Sequence, residues 1–345
     1  MHTLDYLFYG QCKDAPNLIF AGGLTENGTP VSGAGQTLAS AFTRLCGEAG
    51  EQRAVRNCDL TPFPGGNRLD GAAAHGPETA CVLASYLPDG VPIGVPRVKI
   101  RDEGSRTPAP SEGLGAGPDY VSAALHGALE LVERRVVKAW WRGTLHARHL
   151  HASATQQMVR DTLGHPRTRH THILVLTSCE TFCAIVAVSF LATGKGFCFG
   201  AAARSTMHQA VQAALRELAQ AEVGLALSQM KLREYGPSKL LPGELADLAL
   251  ATEVDEEIFL RDLTSGSCSN CFEDTEPSSP SRNRLLELAD LLSGLVICDL
   301  GSPLDGLHVC KAFLLSDVHE WPFPNNVLLK RKSEYLTTYG GMELY

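Results

Sequence analysis

Ser111-Glu112-Gly113-Leu114-Gly115-Ala116-Gly117, followed by a long run that ends Lys138-Ala139-Trp140-Trp141-Arg142-Gly143, is the stretch on which the reading of this chain turns. The run predicts one helix. Pro118 stands near its start, where a missing N–H costs nothing, and Gly143 supplies the stop. Ala123, Ala124, Leu125, Ala128, Leu129, Leu131, Val132, Val136, Val137, Ala139 and Trp140 cover more than one stripe, so the helix is expected to be largely buried. It nevertheless carries Glu130 and Glu133, three apart and on one face, with His126 four before Glu130. Carboxylates on such a helix are costly unless a cation neutralises them. Arg134 and Arg135 can do this as ion pairs, and so can a divalent metal; this helix alone leaves both readings open.

The pattern recurs. Glu48 and Glu51 form a second pair at the same spacing in Cys46-Gly47-Glu48-Ala49-Gly50-Glu51-Gln52-Arg53, on a helix expected from Thr37 to Val55. Glu217 and Gln220 form a third on a helix expected from about Met207 to Met230. Hard oxygen ligands on three apolar helices suit Mg²⁺, which binds through a few carboxylates and substrate phosphates.

Together these segments resemble the YcaO superfamily, and within it the azoline-forming cyclodehydratases of thiazole/oxazole-modified microcin biosynthesis. The residues that carry the resemblance are Gly-Glu-x-x-Glu at 47–51, Ser-x-Gly-x-x-Ala-Gly at 111–117, His126-Gly127, Glu130-x-x-Glu133-Arg134, Trp140-Trp141 and Ala-x-x-Glu217-x-x-Gln220. Order and spacing fit over roughly 30–320. The resemblance implies an α+β fold, with mixed sheets and helices packed around an ATP/Mg²⁺ site. It implies a single domain over 1–345, with a core at 30–320, a flexible loop at 262–282 and a C-terminal tail at 325–345. Glu48, Glu51, Arg53, Ser111, Glu130, Glu133, Arg134, Glu217 and Gln220 would bind the nucleotide. Glu48, Glu51, Glu130, Glu133 and Glu217 would also hold the metal. The terminal carboxylate of Tyr345 would act in catalysis, with His126 next in line as a base.

The implied reaction is cyclodehydration. A Cys, Ser or Thr side chain of a ribosomal precursor peptide attacks the preceding backbone carbonyl. The amide oxygen is phosphorylated by ATP and leaves, giving a thiazoline or oxazoline. The implied partners are the precursor peptide, a leader-binding E1-like protein and an FMN-dependent azoline dehydrogenase. The chain departs from the family pattern at Gln52 (usually Arg), Pro118 (often Asn), Ser122 (usually Glu) and Ala213 (often Arg), so some phosphate or ribose contacts must come from elsewhere. Two other readings remain. One is a related enzyme using another nucleophile, such as sulfide for a thioamide. The other is a non-catalytic scaffold that keeps the fold.

Composition sets the remaining limits. The chain has 345 residues, is 44% hydrophobic and 20% charged, and carries a net charge of −8. Those values fit a soluble globular protein and argue against nucleic acid as a partner. Eleven cysteines, mostly single in apolar surroundings, suggest buried free thiols in a reducing, cytoplasmic setting. No signal peptide is expected at Met1–Gly10. The longest apolar stretch, Ile173 to Ala192, is broken by Ser178, Glu180 and Thr181 and reads as two strands, with no membrane span.

In chain order, strands are expected at Leu7–Tyr9, Asn17–Ala21, Ile93–Ile100, Ile173–Ser178, Cys183–Leu191, Val296–Leu300 and Val309–Leu315. Thr79–Tyr86 fits either a helix or a strand. Helices are expected over Leu240–Phe259 and Leu285–Leu292. The run His146, His149, His151, His165, His170 and His172 reads as a polar connector with histidines at strand edges, in preference to a metal site. Gly194-Lys195 is not a phosphate loop, because the required glycine and hydroxyl residue are missing. Asp262–Arg282 is expected to be a loop, and its Cys268-x-x-Cys271 is a weak zinc signal or a thiol pair.

Overall fold

The computed structural model of the chain describes residues 4–57, 81–96, 100, 112–268, 281–292 and 294–314. These fall into two compact units, one drawn from Met1–Leu45 and Arg135–Glu276, the other from Cys46–Arg134 and Pro277–Phe323.

The first unit begins with an antiparallel three-stranded sheet, β1 (Leu4–Cys12), β2 (Ala15–Thr25) and β3 (Pro30–Gly35), in that order. Its second sheet has the order β10-β9-β8-β7-β11, from β7 (Ala147–Leu150), β8 (Arg169–Ser178), β9 (Cys183–Leu191), β10 (Cys198–Arg204) and β11 (Thr264–Cys268). All its pairings are antiparallel except β11 against β7. Eight of the nine residues of β9 are buried, the pattern of a central strand covered on both faces. The expected loop at Asp262–Arg282 is corrected at its start: the sheet supplies β11 with partners that only the fold brings near.

Helix α4 (Met207–Tyr235) covers this sheet. Thr206 caps it, accepting the Gln209 N–H at 3.2 Å. Ala210, Val211, Ala214, Leu215 and Leu218 face inward. Helix and sheet meet backbone to backbone at Gly200, where a Cβ would lie 2.2 Å from the Leu218 nitrogen. Glu222, buried, is clamped by Arg167 (2.7 Å), Arg169 (3.3 Å) and the Ser189 hydroxyl (2.6 Å), so this deep carboxylate is paired. Helix α3 (Ala152–Thr162) interrupts the stretch expected as a connector. The single helix expected over Leu240–Phe259 is two, α5 (Pro242–Glu253) and α6 (Glu256–Leu263). The break follows from Asp255, whose carboxylate caps the second by accepting the Glu257 and Ile258 N–H groups.

The second unit holds an all-antiparallel sheet of order β5-β4-β12-β13-β6. Its strands are β4 (Cys81–Leu87), β5 (Val91–Pro96), β6 (Leu114–Gly117), β12 (Leu295–Asp299) and β13 (His308–Leu314), with α7 at Ser281–Leu291. Val82, Ala84, Val95, Val296, Cys298 and Val309 form its core with Ala54 of α1. Helices α1 (Leu38–Asn57) and α2 (Tyr120–Trp141) contribute residues to both units. Thr37 starts α1 by accepting the Ser40 N–H at 3.1 Å, and Asp119 starts α2 by accepting the Ser122 N–H at 2.8 Å. Gly143, at φ 73°, follows the end of α2. α2 lies directly on β6: a Cβ at Gly115 would meet the Gly127 nitrogen at 2.1 Å, and one at Gly127 the Gly113 oxygen at 2.5 Å.

Cys183, Cys198, Cys298 and Cys310 are buried and outside any disulfide, as expected. Cys179 is exposed and Cys46 half-buried, which corrects the same expectation for those two. Cys179 sits in the β8–β9 turn, where its N–H bonds the Phe182 carbonyl. Among the described residues, no helix is long and apolar enough to cross a membrane.

Candidate functional site

In the second unit, α1 carries Glu48 and Glu51 while α2 carries Glu130, Glu133 and Arg134. Gly50 lets Leu307 pack on α1; a Cβ there would come within 2.3 Å of the leucine. Glu51 accepts the backbone N–H of Ala116. Burial, and then the like charge of Glu48, push its carboxyl up to about 7, against the opposing pull of that hydrogen bond and of Arg134. Glu133 is buried, and Arg134 lies between both α2 carboxylates, its Nε 3.6 Å from Glu130 and 3.8 Å from Glu133.

A further cation enters from β13. Lys311 is 1% exposed, and burial pushes its ammonium down to about 8 despite the nearby charges of Glu130 and Glu112. Its Nζ lies 5.6 Å from the centre of the Phe313 ring. The sequence reading missed Lys311. The available signal was a lysine inside the apolar run Val309-Cys310-Lys311-Ala312-Phe313.

The third pair lies on α4 in the first unit. Glu217 accepts the Ala201 N–H at 3.3 Å, and Gln220 donates to the Ser32 hydroxyl at 2.9 Å. Beside them gather three arginines from three elements, Arg44 of α1, Arg204 at the end of β10 and Arg216 of α4. Burial first, then the charges of Arg44 and Arg204, push Arg216 down to about 10, with Glu217 pulling the other way. Ala213, where the family often has an arginine, is buried in the apolar core with Ala210 and Ala214. In this part of the helix the positive charge is carried by Arg216, about one turn further on. No local spacing links positions 44, 204 and 216, which is why the sequence reading did not group them.

Of the other expected residues, Arg53 is half-buried on α1, and Ser111 and Tyr345 lie outside the described residues. His126 Nδ1 lies 2.7 Å from the Ala116 carbonyl. Within the histidine run, His170 and His172 of β8 hold Glu256 of α6 at 3.2 and 2.8 Å, as strand-edge side chains.

A family model described as YcaO cyclodehydratase, ATP- and Mg²⁺-binding, matches residues 90–314. The chain belongs to this family: it is an ATP-dependent YcaO enzyme, and ATP and Mg²⁺ are its cofactors. Its α+β fold is similar to YcaO from Methanopyrus kandleri bound with AMPPCP and Mg²⁺, at 18% identity and TM-score 0.69, over 94% of this chain and 90% of that one. A heterocyclase in complex with substrate and cofactor is similar at 16% identity and TM-score 0.67, over 91% of this chain and 50% of that one. The E. coli microcin synthetase McbBCD complex is similar at 14% and 0.65, over 90% and 87%. No curated protein sequence matches the chain.

Mg²⁺ fits the second unit's residues. Glu51 is a carboxyl burdened by desolvation and a like-charged neighbour, and a divalent ion relieves both.

Proposed function

We propose that this chain closes Cys, Ser or Thr residues of a ribosomally made precursor peptide into thiazolines or oxazolines, within a multi-protein synthetase. The feature that carries the proposal is the carboxylate set of α1 and α2, in which burial, and then the like charge of Glu48, push the Glu51 carboxyl up to about 7. Such a set of hard oxygen donors suits a divalent cation. Glu48, Glu51, Glu130 and Glu133 hold Mg²⁺, and Arg134 keeps the α2 carboxylates in place while facing phosphate. Glu217 and Gln220 join as nucleotide ligands on their sequence spacing, and Arg44, Arg204 and Arg216 supply positive charge for phosphates. Arg53 and Ser111 are kept as nucleotide contacts, and the Tyr345 carboxylate as the base.

Mg²⁺-bound ATP supplies a phosphoryl group that turns the amide oxygen into a leaving group. The peptide thiol or hydroxyl bonds to the preceding carbonyl carbon. The C–O bond breaks, the oxygen departs in phosphate, and the side-chain and amide protons pass to base. The net change is loss of one water per ring and conversion of ATP to ADP and phosphate.

The proposed partners are the precursor peptide, an E1-like protein that binds its leader, and an FMN-dependent azoline dehydrogenase. The similarity to a microcin synthetase complex supports this assembly. Mass spectrometry of the peptide after incubation with ATP and partners tests the reading. Loss of one water per ring supports it. An unchanged mass with intact ATP binding points instead to the scaffold reading, which Ala213 and Ser122, in place of the family's usual residues, allow.

A further inference from the structure

The second unit carries a group of donors that the nucleotide chemistry does not use. Asp299 ends β12, and His308 and Cys310 lie on β13. Asp299 and Cys310 are register partners across the two strands, and His308 is two residues from Cys310, so all three side chains share one face of the sheet. Their ligand atoms all lie within 4.8 Å of one another. His308 Nε2 is 2.8 Å from Asp299 Oδ1, and its Nδ1 is 3.1 Å from the Ser302 hydroxyl. The Tyr120 ring stands edge-on to the imidazole at 5.8 Å.

We propose that Asp299, His308 and Cys310 form a three-ligand site for a Zn²⁺-type ion, with Ser302 orienting the histidine. The donor set decides the ion. One thiolate, one imidazole and one carboxylate suit a borderline-soft, tetrahedral cation, whereas Mg²⁺ prefers oxygen alone. Among the described residues, both hydrogen bonds that Asp299 accepts, from His308 and from the Gly301 N–H at 2.7 Å, fall on Oδ1, which leaves Oδ2 for a cation. A ligating histidine needs its second nitrogen fixed, and Ser302 does this. Access runs from exposed Asp299, past half-buried His308, to buried Cys310. Three protein ligands leave a fourth position for water or an incoming thiol.

The proton balance follows from the hydrogen bonds. Without metal, the Cys310 thiol donates to the Tyr120 carbonyl at 3.7 Å, and burial first, then the neighbouring Asp299 and Cys298, push that thiol well above the ordinary range. Binding forms the metal–sulfur bond and expels the thiol proton to solvent. His308 moves its own proton to Nδ1, donates it to Ser302, and ligates through Nε2. The site is separate from the carboxylates of α2: Tyr120 precedes Glu130 by ten residues, roughly 15 Å of helix.

Co²⁺ titration of the full chain, followed by visible absorption, tests the site, with Zn²⁺ competition and elemental analysis for stoichiometry. Expected is a sulfur-to-cobalt charge-transfer band that saturates at one ion per chain. Cys310→Ala should remove the band, His308→Gln should weaken binding at least tenfold, and Ser302→Ala should weaken it about 10–100-fold. A Cys268→Ser/Cys271→Ser variant should retain it. Absence of the band in the parent chain, or its persistence in Cys310→Ala, overturns the proposal. Cys310→Ala leaves a small cavity, so His308→Gln, at a half-buried position, is the second decisive variant: unchanged affinity there overturns it equally.

Discussion

The carboxylate of Glu51 on α1 accepts the backbone N–H of Ala116 on β6 and is still pushed up to about 7. One hydrogen bond therefore does not offset burial beside Glu48. A carboxyl near 7 in the folded chain and near 4.5 in the unfolded one binds more protons when folded between those values. Metal-free stability should then fall as pH rises from about 4.5 to about 7, by on the order of 1–3 kcal/mol, and stay level above. Urea midpoints for the parent and Glu51→Gln check this. The variant should lose the slope, be the more stable protein at about pH 8, and bind Mg²⁺-ATP poorly. A slope that survives in Glu51→Gln assigns the titration elsewhere.

Glu130→Gln and Glu133→Gln should each abolish Mg²⁺-dependent ATP binding while the protein stays folded. Each change keeps the side chain's shape and removes its charge. Calorimetry decides, and ATP affinity that matches the parent in both variants refutes the ligand assignment.

Arg216 is crowded by Arg44 and Arg204, an arrangement that an anion stabilises. Arg216→Gln should weaken ATP about tenfold, ~1.4 kcal/mol, and raise the melting temperature of the ligand-free chain by relieving like-charge repulsion. Affinity unchanged with the melting temperature raised would leave the arginines with no nucleotide to hold.

Deleting Glu343–Tyr345 should sharply cut ring formation and leave ATP affinity intact, because the metal ligands are weakened as bases and the tail carboxylate is the base proposed. Full cyclisation by the truncated chain would move that role to His126. The same peptide assay, run with and without the leader-binding partner, should show phosphate release rising by orders of magnitude with it.

How much of this was legible in the sequence depends on whether the signal was local. α2 announced itself through Gly143 and its apolar residues, and Glu130 and Glu133 through their spacing. α3 did not, because its inward residues, Thr155, Met158 and Thr162, make a weak apolar stripe inside a histidine-rich stretch. β11 pairs with β7 across more than a hundred residues, and nothing at Thr264–Cys268 predicts that partner. Lys311 was visible as an oddity in an apolar strand, but its charged neighbours were not. The Asp299–His308–Cys310 group is assembled by the register of a hairpin, which residue spacing does not give.

The contact between Gly113, Gly115 and Gly127 has an implication for engineering. α2 is held against β6 by peptide groups in van der Waals contact, a spacing set by covalent geometry. The carboxylates on α2 are thus referenced to a backbone seat, with the surrounding methyl groups secondary. Conservative resizing of Leu125, Leu129 or Val132 can loosen the interior and still leave Glu130 and Glu133 in place. One extra methyl at Gly115 or Gly127 lifts the whole helix and misaligns both at once, so the chain is more tolerant to error in its oily residues than in its smallest ones.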